Sequence, residues 1–391
     1  MNSGFLFKSR SHLLQCYLNL RFRIQKRDLS TLKRGENEEV MGTKKNVTFS
    51  DIAEYTHFSK TTISRYFNNP DSLTLENQQI IADALEKLNY KENKVARILA
   101  NGKTEFIGVI VPDLYHHYYS EMLNQILASY EKFGYKFLVF IGNEHEETER
   151  CYIQELMAYK IEGLIIMSHT IPSRELASLQ IPVVTIERED EFVSSVNTDN
   201  YMGGYQATSL LAWHKCDILI HINSPTAKSV PSYGRLQGFL DLCEERQLNY
   251  KTYVREMGHS FESTYDVLFS IVEELEQEYQ GMKKGIFISN DTHANVLLNI
   301  LFRKYGFLPD DYLIIGFDNS PISREAVMPI STIGQQINTI AGEAVSLLVD
   351  QMTERKKRRP HLQEKPVHKI IAPILLRRET TEKESGYAEA F

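Results

Sequence analysis

One stretch near the N-terminus constrains this chain more than any other: residues 47–68 read VTFSDIAEYTHFSKTTISRYFN. Ile52 and Ala53 form one small apolar stripe, and Ile63 and Phe67, one turn apart, form another. Stripes at helical spacing on two short segments suit helix-on-helix packing across a tight turn. Ser50 and Ser59 stand where a hydroxyl accepts from the free amides of a first helical turn, which predicts a cap for each helix. The outward face of the second segment keeps Lys60, Thr61, Ser64 and Arg65, donors for phosphate oxygens and for base edges in a major groove. A third helix is predicted over 75–90, where Ile81, Ala84, Leu85 and Leu88 give the i, i+3, i+4, i+7 stripe that closes a small core. The spacing is that of a helix-turn-helix.

Charge agrees once it is divided along the chain. The net charge of −7 over 391 residues looks wrong for a nucleic-acid binder. Residues 1–40 nevertheless carry +4 and residues 41–103 carry +2, which leaves −13 on the remainder. A basic head on an acidic body fits a protein that meets nucleic acid at one end. Four cysteines (Cys16, Cys151, Cys216, Cys243) are scattered without a paired spacing, so neither a zinc site nor a disulfide framework is indicated. No apolar run reaches the length of a bilayer span. The segment Leu13–Leu20 is interrupted by Gln15 and Asn19 and lacks a small-residue cleavage site, against a secretory signal.

Residues 1–40 show no convincing period and end in Gly35-Glu36-Asn37-Glu38-Glu39-Val40, directly before Met41. Purine-rich codons for such residues resemble a ribosome-binding site, and Met41 is expected to be the true start; a basic arm adding phosphate contacts is the alternative. Beyond residue 104 the texture changes. Apolar runs at 106–111, 137–141, 163–167, 182–186, 218–222, 285–289 and 313–317 alternate with helical segments. Near-continuous apolar strands joined by helices argue for parallel sheets covered on both faces. The rhythm restarts near Tyr201, which predicts two α/β lobes with a cleft between them.

The pattern Thr-x-x-Asp-Ile-Ala…Ser-x-x-Thr-Ile-Ser-Arg…Asn over residues 48–68 resembles the headpiece of the LacI/GalR family of transcriptional regulators. The resemblance extends to about residue 380. It implies an α/β fold: an N-terminal all-α helix-turn-helix headpiece (41–90), a hinge helix or linker (91–103), and a two-lobed body (104–380). The body would resemble periplasmic binding proteins, built of doubly wound parallel sheets. Residues 381–391 are expected to be a disordered tail. The chain is expected to cross between lobes three times, with 319–334 returning to the first lobe and 335–380 to the second. The basic run Arg355–Arg359 is expected to be a solvated loop.

The resemblance also assigns roles. Lys60, Thr61 and Arg65 would face base edges, while Thr48, Ser59, Thr62, Ser64 and Asn68 would anchor the headpiece. Asn93, Lys94, Ala96 and Arg97 would belong to the hinge, with Leu99 as the apolar wedge in a minor groove. Glu92 stands where the family usually has proline. Partners would be a near-palindromic double-stranded DNA operator, a small sugar or sugar phosphate, and a second copy of the chain, in the cytoplasm, with no membrane and no cofactor.

Open α/β sheets bind ligands beyond the carboxyl ends of their strands. Polar and aromatic residues expected at those ends are Asp113, Tyr118, Tyr119, Ser168, His169, Glu187, Arg188, Asp199, Asn223, Arg235, Asn290, Asp291 and Asp318. Three matches sharpen the set: Arg235-x-x-Gly238-Phe239, Asn290-Asp291-x-x-Ala294, and Gly316-Phe317-Asp318-Asn319. Ser168-His169, Glu187-Arg188 and Asp199-Asn200-Tyr201-x-Gly203 look closest to regulators of sucrose and related sugars. Plain structural roles stand beside these: Asp199 and Asp318 as helix caps, Tyr118 and Tyr119 as core. No Gly-rich phosphate loop, zinc-ligand spacing or Gly-x-Ser-x-Gly elbow is present, so no enzyme and no metal are expected. The alternatives are a global catabolite regulator driven by a partner protein, and a sugar-binding or glycan-processing protein.

Overall fold

The structure, a computed structural model, describes residues 47–91, 104–143, 145–188, 191–357 and 365–382. They fall into two units, a headpiece and a body. Expectations for the leader 1–40, for Asn93, Lys94, Ala96, Arg97 and Leu99, for Arg358 and Arg359, and for 383–391 lie outside the described residues.

The headpiece is three helices: α1 (Phe49–Thr56), α2 (Lys60–Asn68) and α3 (Leu75–Lys87). Thr48, not Ser50, starts α1; its amide and its hydroxyl both donate to Asp51 Oδ2, at 2.7 and 2.8 Å. Asp51 sits where a carboxylate can reach back to the N-cap, so the cap moves two residues upstream of the serine. His57 ends α1 with φ of 58°, and Ser59 caps α2 by accepting from the Thr62 amide at 3.1 Å. Ile52, Ile63 and Ile81 are fully buried, and the Phe49 and Phe67 rings stack 5.1 Å apart. Three helices thus share one small core.

The first lobe of the body contains β1 (Phe106–Val111), α4 (His117–Ala128), β2 (Lys136–Ile141), α5 (Glu146–Ala158), β3 (Gly163–Ile166), β4 (Val183–Ile186) and β5 (Ser194–Thr198). The chain then enters the second lobe through α6 (Asn200–Trp213). There follow β6 (Ile218–Asn223), α7 (Tyr233–Glu245), β7 (Tyr250–Val254), α8 (Phe261–Glu278), β8 (Lys284–Ile288), α9 (Asp291–Tyr305), β9 (Tyr312–Asp318) and β10 (Ser331–Gly334). It returns for α10 (Ile337–Arg355) and β11 (His368–Ile371), and β12 (Ile374–Leu376) joins the second sheet. The sheets run β11-β5-β4-β3-β1-β2 and β12-β10-β9-β8-β6-β7. The first is parallel throughout; in the second only β12 runs antiparallel.

Three crossings occur as expected, but 319–334 lies in the second lobe and 335–371 in the first, and only the end of the tail, from β12 on, reaches the second lobe as expected. Segment 319–334 belongs to the second lobe, because β10 pairs with β9. The chain from Gln335 goes back to the first, where Ile340, Ala344 and Leu348 of α10 pack beneath Ile107, Val109 and Ile165. Arg355 and the next two residues close α10: Lys356 pairs with Glu162 and Lys357 with Glu354. The tail is ordered further than its charge suggested. Thr380 and Thr381 are buried, and Thr380 Oγ1 donates to the Ile314 carbonyl at 2.7 Å. A hydroxyl that satisfies a strand-edge carbonyl ties the segment down despite its charged neighbours.

Candidate ligand cleft between the lobes

The lobes enclose a cleft of about 450 Å³, within the range of small-molecule sites. Its central cation is Arg235, which α7 can place only because α6 and α7 cross with backbones touching. A Cβ on Gly204 would lie 2.2 Å from the Arg235 carbonyl oxygen, and one on Gly238 2.3 Å from that of Tyr201. Any side chain at either position would lift α7 and carry Arg235 away. The guanidinium lies over the Phe317 ring, 3.7 Å from its centre. Its Nε donates to Asn200 Oδ1 at 2.7 Å and its Nη1 to the Ser289 carbonyl at 2.7 Å. Glu187 Oε2 and Asp318 Oδ1 stand 3.9 and 3.8 Å away, close enough to share its charge.

The acids are held by the strands that cross between lobes. Glu187 accepts from the Thr198 amide at 2.6 Å and from Asn200 Nδ2 at 2.8 Å. Asp318 accepts from Gln335 Nε2 at 2.6 Å, and Gln335 Oε1 in turn accepts from Thr198 Oγ1 at 2.7 Å. Residues 198–200 leave the first lobe and Gln335 re-enters it, so the cleft acids are bonded directly to two of the three interlobe connections. Glu187, Asp318 and Asn319 each adopt positive φ, at 57°, 111° and 55°. Non-glycine residues in that region cluster where a site dictates the backbone.

Burial drives the Asp318 carboxyl up to about 7; Arg235 and the Gln335 bond pull it back, and the charge of Glu187 adds to the rise. Asp291 is also pushed well up, by burial and by repulsion from Asp318. At the cleft mouth, burial would raise Asp113, but the bonds and charge of His116 outweigh it, helped by His259, and its carboxyl lies below the ordinary value. Burial holds His293 neutral, down to about 3. Its Nδ1 faces Asn290 Nδ2 at 3.0 Å, while Asn290 Oδ1 accepts from the His293 amide at 2.8 Å. Asn290 is thereby oriented with its NH2 toward the ring. Nδ1 of His293 must accept, and Nε2 carries the proton. His293 and Tyr118 line the cleft, and that Nε2 and the Tyr118 hydroxyl are buried atoms with no hydrogen-bond partner among the described residues.

Of the residues expected to bind a ligand, Tyr119, His169, Glu187, Arg235 and Asp318 line the cleft, as do Asp113, Tyr118, Asn223 and Asn290. Four expected effector residues do not. Ser168 is fully buried and donates to Glu149. Arg188 turns back and donates to the carbonyls of Ser168 and Ile171, bracing the loop after β3. Asp199 caps α6 by accepting from the Met202 amide at 2.9 Å. Asp291, also fully buried, accepts from the Ser320 amide at 2.8 Å and from Thr332 Oγ1 at 2.7 Å. It therefore fastens α9 to the end of β9 and to β10. A strand-end position places a side chain near the cleft, but nearby partners captured these four: a carboxylate for Ser168, carbonyls for Arg188, and amides or hydroxyls for Asp199 and Asp291. Sequence reasoning missed His116, His259, His293 and Gln335, and named Asn200 only as part of the match around Asp199. His293 was within reach, two positions past Asp291 in the same motif. His259 follows β7, a strand too polar to be recognised.

In the headpiece, Lys60, Thr61, Arg65 and Asn68 form an exposed face of α2. The hydroxyls of Ser59 and Thr62 bond each other at 2.8 Å, and Asn68 Nδ2 donates to Ser64 Oγ at 3.1 Å.

Comparison with known proteins bears on both units. Residues 104–274 match the model of periplasmic binding proteins and the sugar-binding domain of the LacI family, and residues 210–372 match a periplasmic binding protein-like domain. The ribose operon repressor of Halalkalibacterium halodurans is 27% identical over 309 residues, 79% of this chain and 91% of that protein. The chain is similar to the LacI/GalR family of transcriptional regulators over most of its length. The sucrose operon repressor of Pediococcus pentosaceus is 26% identical over 306 residues, 78% of this chain and 92% of that protein. The fold of the chain follows that of the Lac repressor dimer bound to operator and an anti-inducer, with a TM-score of 0.72 at 21% identity over 86% of this chain and 99% of that one. No helix among the described residues is long and apolar enough to cross a membrane.

Proposed function

We propose that this regulator represses carbohydrate-utilisation genes by binding a near-palindromic operator as a dimer, and that a neutral sugar in the cleft releases it. The observation that carries the sugar reading is the pair of orphaned polar groups, Tyr118 OH and His293 Nε2–H, buried in the cleft wall. A buried donor without a partner is costly, so a cleft that keeps two of them suits a ligand bearing hydroxyl oxygens. Tyr119 adds a ring for an apolar sugar face. Arg235 is the one Lys or Arg among the lining residues, against Asp113, Glu187, Glu256 and Asp318. That balance favours an uncharged sugar over a sugar phosphate.

In the headpiece, Lys60, Thr61 and Arg65 would read bases while Thr48, Ser59, Thr62, Ser64 and Asn68 hold the backbone. Asn93, Lys94, Ala96, Arg97 and Leu99 would complete the DNA contact as a hinge. Ligand binding between the lobes shifts operator affinity only through a difference in affinity for two lobe arrangements. The Thr198–Gln335 and Asn200–Glu187 bonds join that equilibrium to the ligand's own partners. Operator binding measured by fluorescence anisotropy against a panel of neutral sugars tests the reading. One sugar should weaken operator binding by at least about tenfold, a typical coupling. Arg235→Ala should abolish the release, and Arg65→Ala should lose about 1–3 kcal/mol on the cognate site. A panel in which no sugar binds the cleft sinks the sugar assignment. Equal loss of cognate and random DNA in Arg65→Ala makes that residue a phosphate clamp.

A further inference from the structure

We propose that Asp113, His116 and His259 form a divalent transition-metal site that bridges the two lobes at the mouth of the cleft. Asp113 follows β1 and His116 opens α4, both in the first lobe; His259 lies between β7 and α8 in the second. Asp113 Oδ2 stands between two imidazoles, 2.9 Å from His116 Nδ1 and 3.6 Å from His259 Nδ1. One donor atom from each of the three falls within 4.8 Å of the others. Zinc holds nitrogen and oxygen donors at roughly 2.0–2.2 Å in a tetrahedron, which sets neighbouring donors about 3.4 Å apart. The present spacing, from 2.9 Å to at most 4.8 Å, brackets that value, so binding needs donor shifts of up to about 1.4 Å, within reach of one exposed loop side chain and one helix-cap side chain.

The donor chemistry selects the ion. Two imidazoles and one carboxylate suit zinc, nickel or ferrous iron, whereas magnesium and calcium take oxygen donors. The helix dipole at the start of α4 opposes a cation, but Asp113 Oδ1 already accepts from the His116 amide at 2.9 Å and offsets it. His293, whose unpaired Nε2–H also supports the sugar reading, stands beside the cluster. Its ring centre lies 5.3 Å from that of His116, and its Nε2–H is a buried donor without an acceptor. Three protein donors leave a fourth position open for water or a ligand oxygen.

Such an ion ties the lobes together where Tyr115 OH already reaches Thr264 Oγ1 at 3.1 Å and the His117 amide reaches Thr292 Oγ1 at 3.0 Å. It therefore favours the closed arrangement of the body independently of which sugar, if any, the cleft takes. The proposal does not rest on the sugar reading.

The test uses the full-length chain with zinc, cobalt and magnesium ions alone, without sugar or operator. Zinc affinity is measured by competition with a chromophoric chelator, and cobalt by the visible absorption of the bound ion. The expected result is one zinc per chain that magnesium does not displace, and a visible cobalt band that zinc removes. Binding should weaken at least about tenfold in Asp113→Asn and, separately, in His259→Ala. His259→Ala changes a surface loop, and its thermal transition without metal, matching that of the wild type, shows that it folds. Undiminished zinc binding in a His116→Ala/His259→Ala double variant places the ion on other histidines and overturns the proposal. Unchanged affinity in His259→Ala alone overturns the bridge between lobes, as does the absence of any zinc binding to the folded wild type.

Discussion

In the headpiece, Ile52, Ile63 and Ile81 are fully buried, while Lys60, Thr61, Arg65 and Asn68 stand exposed on one face. In the cleft the order is inverted: Glu187, Arg235 and Asp318 keep 7%, 8% and 3% of their surface and are bonded to one another's neighbours. The difference follows from the partners each surface suits. A DNA backbone is met by solvated cations whose benefit is release of counterions, so the side chains can stay wet and mobile. A small ligand offers few atoms, and each must meet a desolvated partner already held in place. The headpiece thus keeps its apolar core and its polar face strictly apart, and the cleft merges them.

The sharpest way to break this comparison is to truncate one isoleucine in each unit. Ile63→Ala removes a large part of a core shared by three short helices, and such truncations cost about 2–5 kcal/mol. A domain of that size has roughly that much stability to lose. Operator binding should vanish, the headpiece should melt at room temperature, and the transition of the body should stay where it was. Ile286→Ala, in the extensive core beneath β8, should lower the transition of the body without unfolding it and leave operator binding intact. Scanning calorimetry with separate probes in each unit checks both; a single transition that moves with either variant shows the units to be coupled.

A smaller effect is expected from pH, and it separates the two regions again. Burial raises Asp318 to about 7 and pushes Asp291 upward as well. A carboxyl whose folded value exceeds its unfolded one binds more protons folded than unfolded. Its contribution is therefore fully favourable below about 4 and is lost as pH rises through the folded value. The transition of the body should fall between about pH 4 and 7 by more than other groups explain, and Asp318→Asn should flatten that slope. The headpiece contains no such buried acid among its described residues and should show no matching decline. A wild-type slope unchanged in Asp318→Asn argues that Asp318 is ionised throughout.

Much of this could be read from the residues because much of it is local. The capped helices of the headpiece lie within a few residues of one another, and β1, β6 and β9 appeared as apolar runs almost to the residue. What escaped detection was polar or distant. β5 reads Ser-Ser-Val-Asn-Thr and is buried throughout. Its polarity is matched by side chains from far along the chain: Ser194 Oγ accepts from the Val367 amide at 3.0 Å, and Ser195 Oγ lies 2.8 Å from His368 Nδ1. No window of sequence shows that compensation. The same applies to the cleft, whose walls come from residues as far apart as Asp113 and Gln335. Strand-end position found Arg235, Glu187 and Asp318, but it could not show that Asp291 and Asp199 would find partners of their own.

The smallest expected effect tests that last distinction. Asp199 and Asn200 are adjacent on the connection from the first lobe to the second, yet the structure turns them to different tasks. Asn200 bridges Glu187 and Arg235, whereas the Asp199 carboxylate accepts from the Met202 amide in the first turn of α6. Removing an N-cap oxygen exposes that amide and costs about 1 kcal/mol, because α6 remains pinned by Ala207, Leu210 and Leu211 against the second sheet. Asp199→Ala should therefore lower the thermal midpoint of the body slightly and leave ligand affinity within about twofold, since Asp199 is absent from the cleft wall. Asn200, likewise absent from the wall, holds Glu187 and Arg235 in place, so Asn200→Ala should do the reverse, with affinity falling much further than stability. If Asp199→Ala lost ligand affinity as Asn200→Ala does, the cap would be serving the cleft by aligning the connection. The division between residues that hold the fold and residues that position the cleft's charged groups would then fail at the place where the two lobes are joined.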